Sequence, residues 1–297
     1  RRGRPLTPLR THNDKISEPL PTMRDFDSKP MPLDQADGLR RLFARHRVKF
    51  IPVVSNPHVA FGGMMLERLC AGFAEHGLHV LVADASERAS AASELAMMDL
   101  ADAIEPLSAQ VSYLAARGLP IRHVDASGST APFLQALADA VPQADVVLVH
   151  APATELCRLF ARSAELARRS GDDSALVRPL LLADDRPASV THAYAAIKLL
   201  TQRAGLVVHD LLLGAAPHSP RAERIAMQLA TCADDFLGAV LRDWVRLDPA
   251  ALAGEAPSED LRRLVRETLR LEAVPASMAA PYYVDRPQQT AAGRAMN

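Results

Sequence analysis

Long apolar runs are missing from this chain of 297 residues. No stretch of 18 apolar residues occurs, so no transmembrane helix is expected. The N-terminus is basic (Arg1, Arg2, Arg4, Arg10), but no apolar segment follows it of the kind a secretory leader needs. Cysteine is scarce. Cys70, Cys157 and Cys232 stand far apart in apolar stretches with no C-x-x-C spacing. Neither a zinc site nor a redox pair is signalled, and buried reduced thiols in a cytoplasmic protein are expected. A charge excess is missing too. The net charge is -1 and the pI about 6.9, which gives no bulk electrostatic reason to expect direct nucleic-acid binding. No nucleophile–histidine–carboxylate pattern or metal-ligand spacing supports a hydrolase or metalloenzyme.

What is present is an ordinary globular balance, 48% apolar and 23% charged, in a chain long enough to bury a core. Residues 1–33 carry six prolines and no apolar periodicity, so a disordered arm is expected. The chain does not begin with methionine; the arm is either native or an upstream extension, with Met31 an older start. At Asp34 the pattern changes. Asp34 suits an N-cap and Asp37 the first turn. Leu39, Leu42 and Phe43 then recur at helical spacing, predicting a short amphipathic helix within 34–46. From Lys49 onward, short β-branched runs alternate with helical stretches. Strands are expected at 49–55, 78–84, 119–124, 145–149, 178–183, 206–209 and 244–247. Helices are expected near 62–76, 88–115 (kinked at Pro106), 129–141, 153–170, 188–203 and 219–240. The pattern predicts an α/β domain over 47–257: a three-layer, doubly wound, mostly parallel sheet with helices on both faces. Ligands of such sheets sit at the carboxyl ends of strands, here the loops after Ser55, Asp84 and Val149. A helix follows over about 258–272, then a polar tail, 273–297, expected to be disordered.

The loop after the first strand runs Asn56-Pro57-His58-Val59-Ala60-Phe61-Gly62-Gly63 before a helix, and the next strand ends Asp84-Ala85-Ser86. This arrangement resembles the opening of the MinD/ParA ATPases, a deviant P-loop family, without a gap from Ser55 to Asp84. A P-loop needs glycines so that backbone N–H groups close around phosphate, lysines for phosphate charge and a hydroxyl for Mg²⁺. The resemblance puts Pro57 at the family's signature lysine, Gly62 at its second lysine and Gly63 at the Mg²⁺-binding hydroxyl. Ser86 falls where the second carboxylate of an Asp-x-Asp pair would position water. His150 falls where the family has its Walker-B Asp, whose support of Mg²⁺ an imidazole does not supply. As a residue, His150 reads as a core or loop histidine. The resemblance therefore implies a degenerate nucleotide site at Asn56, Pro57, His58, Gly62, Gly63, Asp84, Ser86 and His150. ATP and Mg²⁺ are the cofactors of the family rather than assured cofactors of this chain.

Two further stretches are similar to the flagellar-number regulators of the FlhG/FleN branch. One is Asp185–Lys198, in which Pro187, Ser189, Ala193, Tyr194, Ile197 and Lys198 match a P-x-P-T-S-x-x-D-A-Y-x-x-I-K segment while His192 departs from it. On physical grounds Ser189 can cap a helix there, with Ala193, Ile197 and Leu200 as its packing stripe. The other is Asp34-Gln35-Ala36-Asp37-Gly38-Leu39-Arg40, similar to the branch's D-Q-A-x-x-L-R motif. The resemblance implies that Asp34, Gln35, Ala36, Leu39, Arg40 and Phe43 bind an FlhF-like, signal-recognition-particle-type GTPase. Gln35 would act in trans on hydrolysis, as an amide that orients water can. It further implies partners among basal-body or transcription-regulator proteins. The alternative from the residues is a capped helix that simply covers the domain; the alternative within the family is an active ATPase. Arg262, Arg266 and Arg270 line one side of the 258–272 helix beside Leu261, Leu264, Val265 and Leu269. By resemblance, Arg262, Leu264, Arg266 and Leu269 would meet the inner-membrane surface; by pattern alone, the helix packs on the domain.

Overall fold

The structure is a computed structural model, and it describes residues 47–170, 177–251, 254–270 and 283–285. The expected arm 1–33 and partner helix 34–46 lie outside the described residues. Nine strands build one sheet: β1 (Arg47–Val54), β2 (Val80–Asp84), β3 (Glu105–Pro106), β4 (Val111–Ala115), β5 (Val146–Ala151), β6 (Leu180–Asp184), β7 (Val208–Gly214), β8 (Val240–Leu247) and β9 (Tyr283–Asp285). Their order is β3-β4-β2-β5-β1-β6-β7-β8, with β9 beside the start of β1. β3 and β9 run antiparallel to their neighbours, and the rest of the pairings are parallel. β9 falls inside the tail that the composition marks as disordered. The central strands read as unbroken apolar runs because both of their faces are covered. Successive side chains of a strand point to opposite faces. Val146 and Leu148 of β5 therefore join a core with α1 (Gly62–Ala74) and α7 (Glu259–Arg270), whereas Val147 and Val149 join the opposite core. That second core is covered by α3 (Pro132–Ala140), α4 (Ala153–Ser170), α5 (Pro187–Leu199) and α6 (Pro220–Leu237). The three-layer α/β expectation holds.

Two expectations fail in one region. No long helix spans 88–115. Only α2 (Glu94–Met98), capped by the Ser93 side chain, and one 3-10 turn are helical there. Val111–Ala115 instead pairs with β2 along its whole length, so sheet pairing overrides local propensity. Pro106 does not kink a helix. It sits in the two-residue strand β3 at the end of the sheet, where a missing N–H is tolerated. The expected strand 119–124 is a 3-10 turn with Pro120 at its start, because β4 already occupies the place beside β2.

The C-terminal helix α7 lies on α1 with Leu261, Leu264 and Val265 buried and Leu269 packed against the same core. Arg262 bonds Glu75, the residue that caps the C-terminus of α1, at 2.8 Å through Nε. The backbone carbonyls of Glu267 and Thr268, in the last turn of α7, accept from Arg178 and Lys49, cations that suit a helix C-terminus. Arg266 bonds Glu259 on its own helix. The apolar side of α7 thus faces the protein, and meeting a membrane through Leu264 and Leu269 would require undocking. Gly72 permits the close approach: a Cβ there would lie 3.0 Å from Val265 Cγ2 and 3.7 Å from Leu261 Cγ. Gly72→Val is expected to cost on the order of 2 kcal/mol by overpacking. Hydrogen exchange should localise the loss to α7; equal loss over the whole sheet would contradict this role for Gly72.

Candidate functional site

Parallel strands deliver their carboxyl ends to one edge, and four of them meet here. β1 leads through Ser55 into the 56–61 loop and then α1. β2 ends at Asp84, β5 carries His150 as its last residue but one, and β6 ends at Asp184. Asp84 and His150 are register partners on neighbouring strands. The expected site residues Asn56, Pro57, His58, Gly62, Gly63, Asp84, Ser86 and His150 therefore do lie along this edge.

Their chemistry is that of a site whose polar groups answer one another. Asn56 is buried. Its amide donates to the carbonyls of Leu182 and Ser189, at 2.9 and 3.0 Å, which ties the loop to β6 and α5. Its side-chain oxygen accepts from the His58 N–H, and its carbonyl accepts from the Val59 N–H, both at 3.1 Å. The Ala60 N–H donates to the Asp184 carboxylate at 3.2 Å. The loop's carbonyls are also taken. Arg88 reaches those of Pro57 and Val59, and Arg186 that of His58. Arg186 also grips Asp184 Oδ2 from Nε and from a terminal nitrogen, at 2.9 and 2.7 Å. On the other side, His150 Nδ1 lies 2.8 Å from Asp84 Oδ1, and the Ser86 N–H donates to the same oxygen at 3.0 Å. Tyr113 donates to Asp84 Oδ2 at 3.4 Å. Burial alone would raise the Asp84 pKa, but the His150 hydrogen bond and charge, with the Ser86 contacts, hold it below the usual carboxylate value. Burial, then the Asp84 carboxylate, push the Tyr113 hydroxyl up to about 12.

Ser189 is not the N-cap expected of it. Arg186 holds that position and Pro187 starts α5. Ser189 is buried, and its hydroxyl accepts from the Asp184 N–H at 2.9 Å and from Asn56. Ala193, Ile197 and Leu200 do form the packing stripe. Sequence reasoning missed Arg88, Asp184, Arg186 and Tyr113. One signal was there: each of two apolar strands ends in Asp, and an arginine follows within four residues (Asp84…Arg88, Asp184-Asp185-Arg186). Two of the three thiols are buried, and burial pushes Cys70 up to about 12 and Cys157 up to about 11, away from reactive thiolate; Cys232 is only half-buried.

Mg-ATP does not fit these residues. A phosphate needs free loop N–H groups and lysine charge, but three successive loop N–H groups, from His58 to Ala60, have acceptors inside the protein. The loop from Asn56 to Gly63 holds no lysine. Gly63, in the first turn of α1, offers no hydroxyl. Each strand-end carboxylate already faces an internal cation or imidazole. Phe61, 53% exposed, projects beside the entrance to α1.

No protein-family model matches the chain, and no curated protein matches it in sequence. Solved structures do share its fold. Cobyrinic acid a,c-diamide synthase from Mycobacterium smegmatis, with bound ATP analog and magnesium, superposes with a TM-score of 0.52 at 13% identity, covering 75% of this chain and 94% of that one. An McdA–ATP complex from Cyanothece gives 0.51 at 12% identity, covering 78% and 100%. MinD from Aquifex aeolicus superposes more loosely, at 0.44 and 14% identity, covering 77% and 99%. The fold of the 47–270 region is therefore the three-layer α/β fold of the P-loop NTPases.

Proposed function

We propose that the chain is a regulator built on a frame of the MinD/ParA kind, which does not turn over ATP and acts by binding a partner. The observation that carries this reading is the internal satisfaction of the 56–61 loop: its N–H groups serve Asn56 and Asp184, and its carbonyls serve Arg88 and Arg186. A frame that does not bind Mg-ATP has no nucleotide cycle to offer, so its use must lie in contacts. The motif Asp34–Arg40 names the partner class, an FlhF-like GTPase of the signal-recognition-particle type. Asp34, Gln35, Ala36, Leu39, Arg40 and Phe43 would make the contact, and Gln35 would orient the attacking water in trans. The task would be control of flagellar number or placement, in the cytoplasm or at the inner-membrane surface.

The test is GTP turnover by the cognate GTPase with the full-length chain added. Gln35→Ala is expected to abolish stimulation, a loss on the order of 10³-fold if the glutamine acts as residues supplied in trans do, while binding persists. Equal stimulation by wild type and Gln35→Ala would sink the mechanism. Hydrolysis of Mg-ATP by the chain alone would replace this reading with that of an active positioning ATPase.

A further inference from the structure

The 56–61 loop is arranged around a charged group that belongs to the protein itself. Asp184 is buried, at 7% exposure. Its Oδ2 receives the Ala60 N–H at 3.2 Å and the Arg186 guanidinium at 2.7 and 2.9 Å, while its Oδ1 receives the Arg186 N–H at 3.1 Å. A backbone N–H, a second N–H and a forked guanidinium converging on one carboxylate is the donor set of an anion site. The same guanidinium reaches back to the His58 carbonyl, and Arg88 holds the carbonyls on either side. We infer that Asp184 is a built-in ligand: its carboxylate fills an anion site formed by Ala60 and Arg186, and the two arginines clamp the loop around it.

The inference rests on the reading of the site as one that does not take Mg-ATP, and it goes further by naming what fills the site instead. It has two physical consequences. The loop is ordered without any added ligand, because the occupant is covalently part of β6 and its local concentration does not vary. Removal of the carboxylate should leave a cavity lined by donors, and a small carboxylate from solution should refill it.

Amide hydrogen exchange at Ala60 in the full-length protein decides the matter. In Asp184→Ala the rate at Ala60 is expected to rise roughly ten- to hundredfold, the factor carried by a hydrogen bond to a charged acceptor. Sodium formate should slow it again, and sodium chloride at equal ionic strength should not. An unchanged rate in Asp184→Ala, or a raised rate that formate leaves untouched, would overturn the proposal. If Asp184→Ala does not fold, Asp184→Asn serves: it keeps an oxygen for the Arg186 N–H and removes the charge. Exchange at Ala60 must then still rise, now without response to formate because the cavity is filled, and no rise would overturn the proposal. A parallel arm adds Mg-ATP to the wild type. Slowing of Ala60 there would defeat the reading of the site as one that does not take Mg-ATP, whereas the assignment of Asp184 stands or falls on its own variants.

Discussion

Arg178→Ala is expected to destabilise the domain by about 3–5 kcal/mol, the cost of leaving a buried charge without its counter-ion. Arg178 and Asp210 face each other at 3.6 Å with side chains only 8% and 5% exposed. The pair is long for an ion pair, and Asp210 Oδ1 has no hydrogen-bond partner among the described residues. Burial therefore outweighs Arg178 and pushes the Asp210 carboxyl up to about 6. Its neighbour His209 moves the opposite way: burial brings it down to about 4, its Nδ1 has no hydrogen-bond partner among the described residues, and Nε2 meets the Thr201 hydroxyl at 3.3 Å. The two shifts oppose each other in stability. Asp210, raised in the folded protein, favours the fold below its ordinary value of 3.8, and that contribution is lost as pH rises through about 6. His209, lowered in the folded protein, favours the fold above its ordinary 6.5, and that contribution is lost as pH falls through about 4. Each spans about 3 kcal/mol at 1.36 kcal/mol per pKa unit, so between pH 4 and 6.5 they nearly cancel. Asp210→Asn removes one side of this balance. Its stability should fall by about 3 kcal/mol between pH 6.5 and 4 relative to wild type, and His209→Leu should show the mirror image. Urea midpoints at the two pH values measure both, and parallel pH profiles for wild type and both variants would refute the opposed pair.

The same residues explain what could be read from the sequence and what could not. β2, β5 and β6 were legible because strands covered on both faces are unbroken apolar runs. β7 was expected to stop at His209, but it continues through Asp210 to Gly214. A carboxylate inside a strand reads as its end unless the arginine that faces it, 32 residues earlier in the chain, is known. β4 was hidden for a similar reason. Val111–Ala115 is a strand because β2 offers it a free edge, and helical periodicity carries no trace of that edge. At the site, the positions were legible from the carboxyl ends of the strands. The internal partners of the loop were not. Arg88 becomes a clamp only because the turn after β2 brings it against the carbonyls of Pro57 and Val59, a relation between loops that no local pattern encodes.

His150→Asp tests whether the groups at this edge act separately or as a set. The substitution places a carboxylate near the end of β5, directly across the register from Asp84. In wild type the imidazole donates to Asp84 Oδ1 at 2.8 Å, and with Ser86 it keeps that carboxyl ionised. Two carboxylates at that spacing repel, and a charge-assisted hydrogen bond is lost. Together these should cost about 2–4 kcal/mol at pH 7. The deficit should shrink as pH falls, because one proton shared between the carboxyl groups relieves the repulsion. His150→Asn, which keeps a neutral donor for Asp84, should lose less than His150→Asp at pH 7. Millimolar Mg²⁺ should not repair His150→Asp, because the ion would find neither nucleotide phosphate nor a hydroxyl at Gly63, and Mg²⁺ rarely binds protein carboxylates alone. Recovery of the melting temperature on adding Mg²⁺ would mean that the carboxylate pair suffices for a metal, and that His150 alone keeps the ion out. Without recovery, the edge works as a unit: His150 holds Asp84, Arg186 holds Asp184, and the loop between them is tied to internal partners.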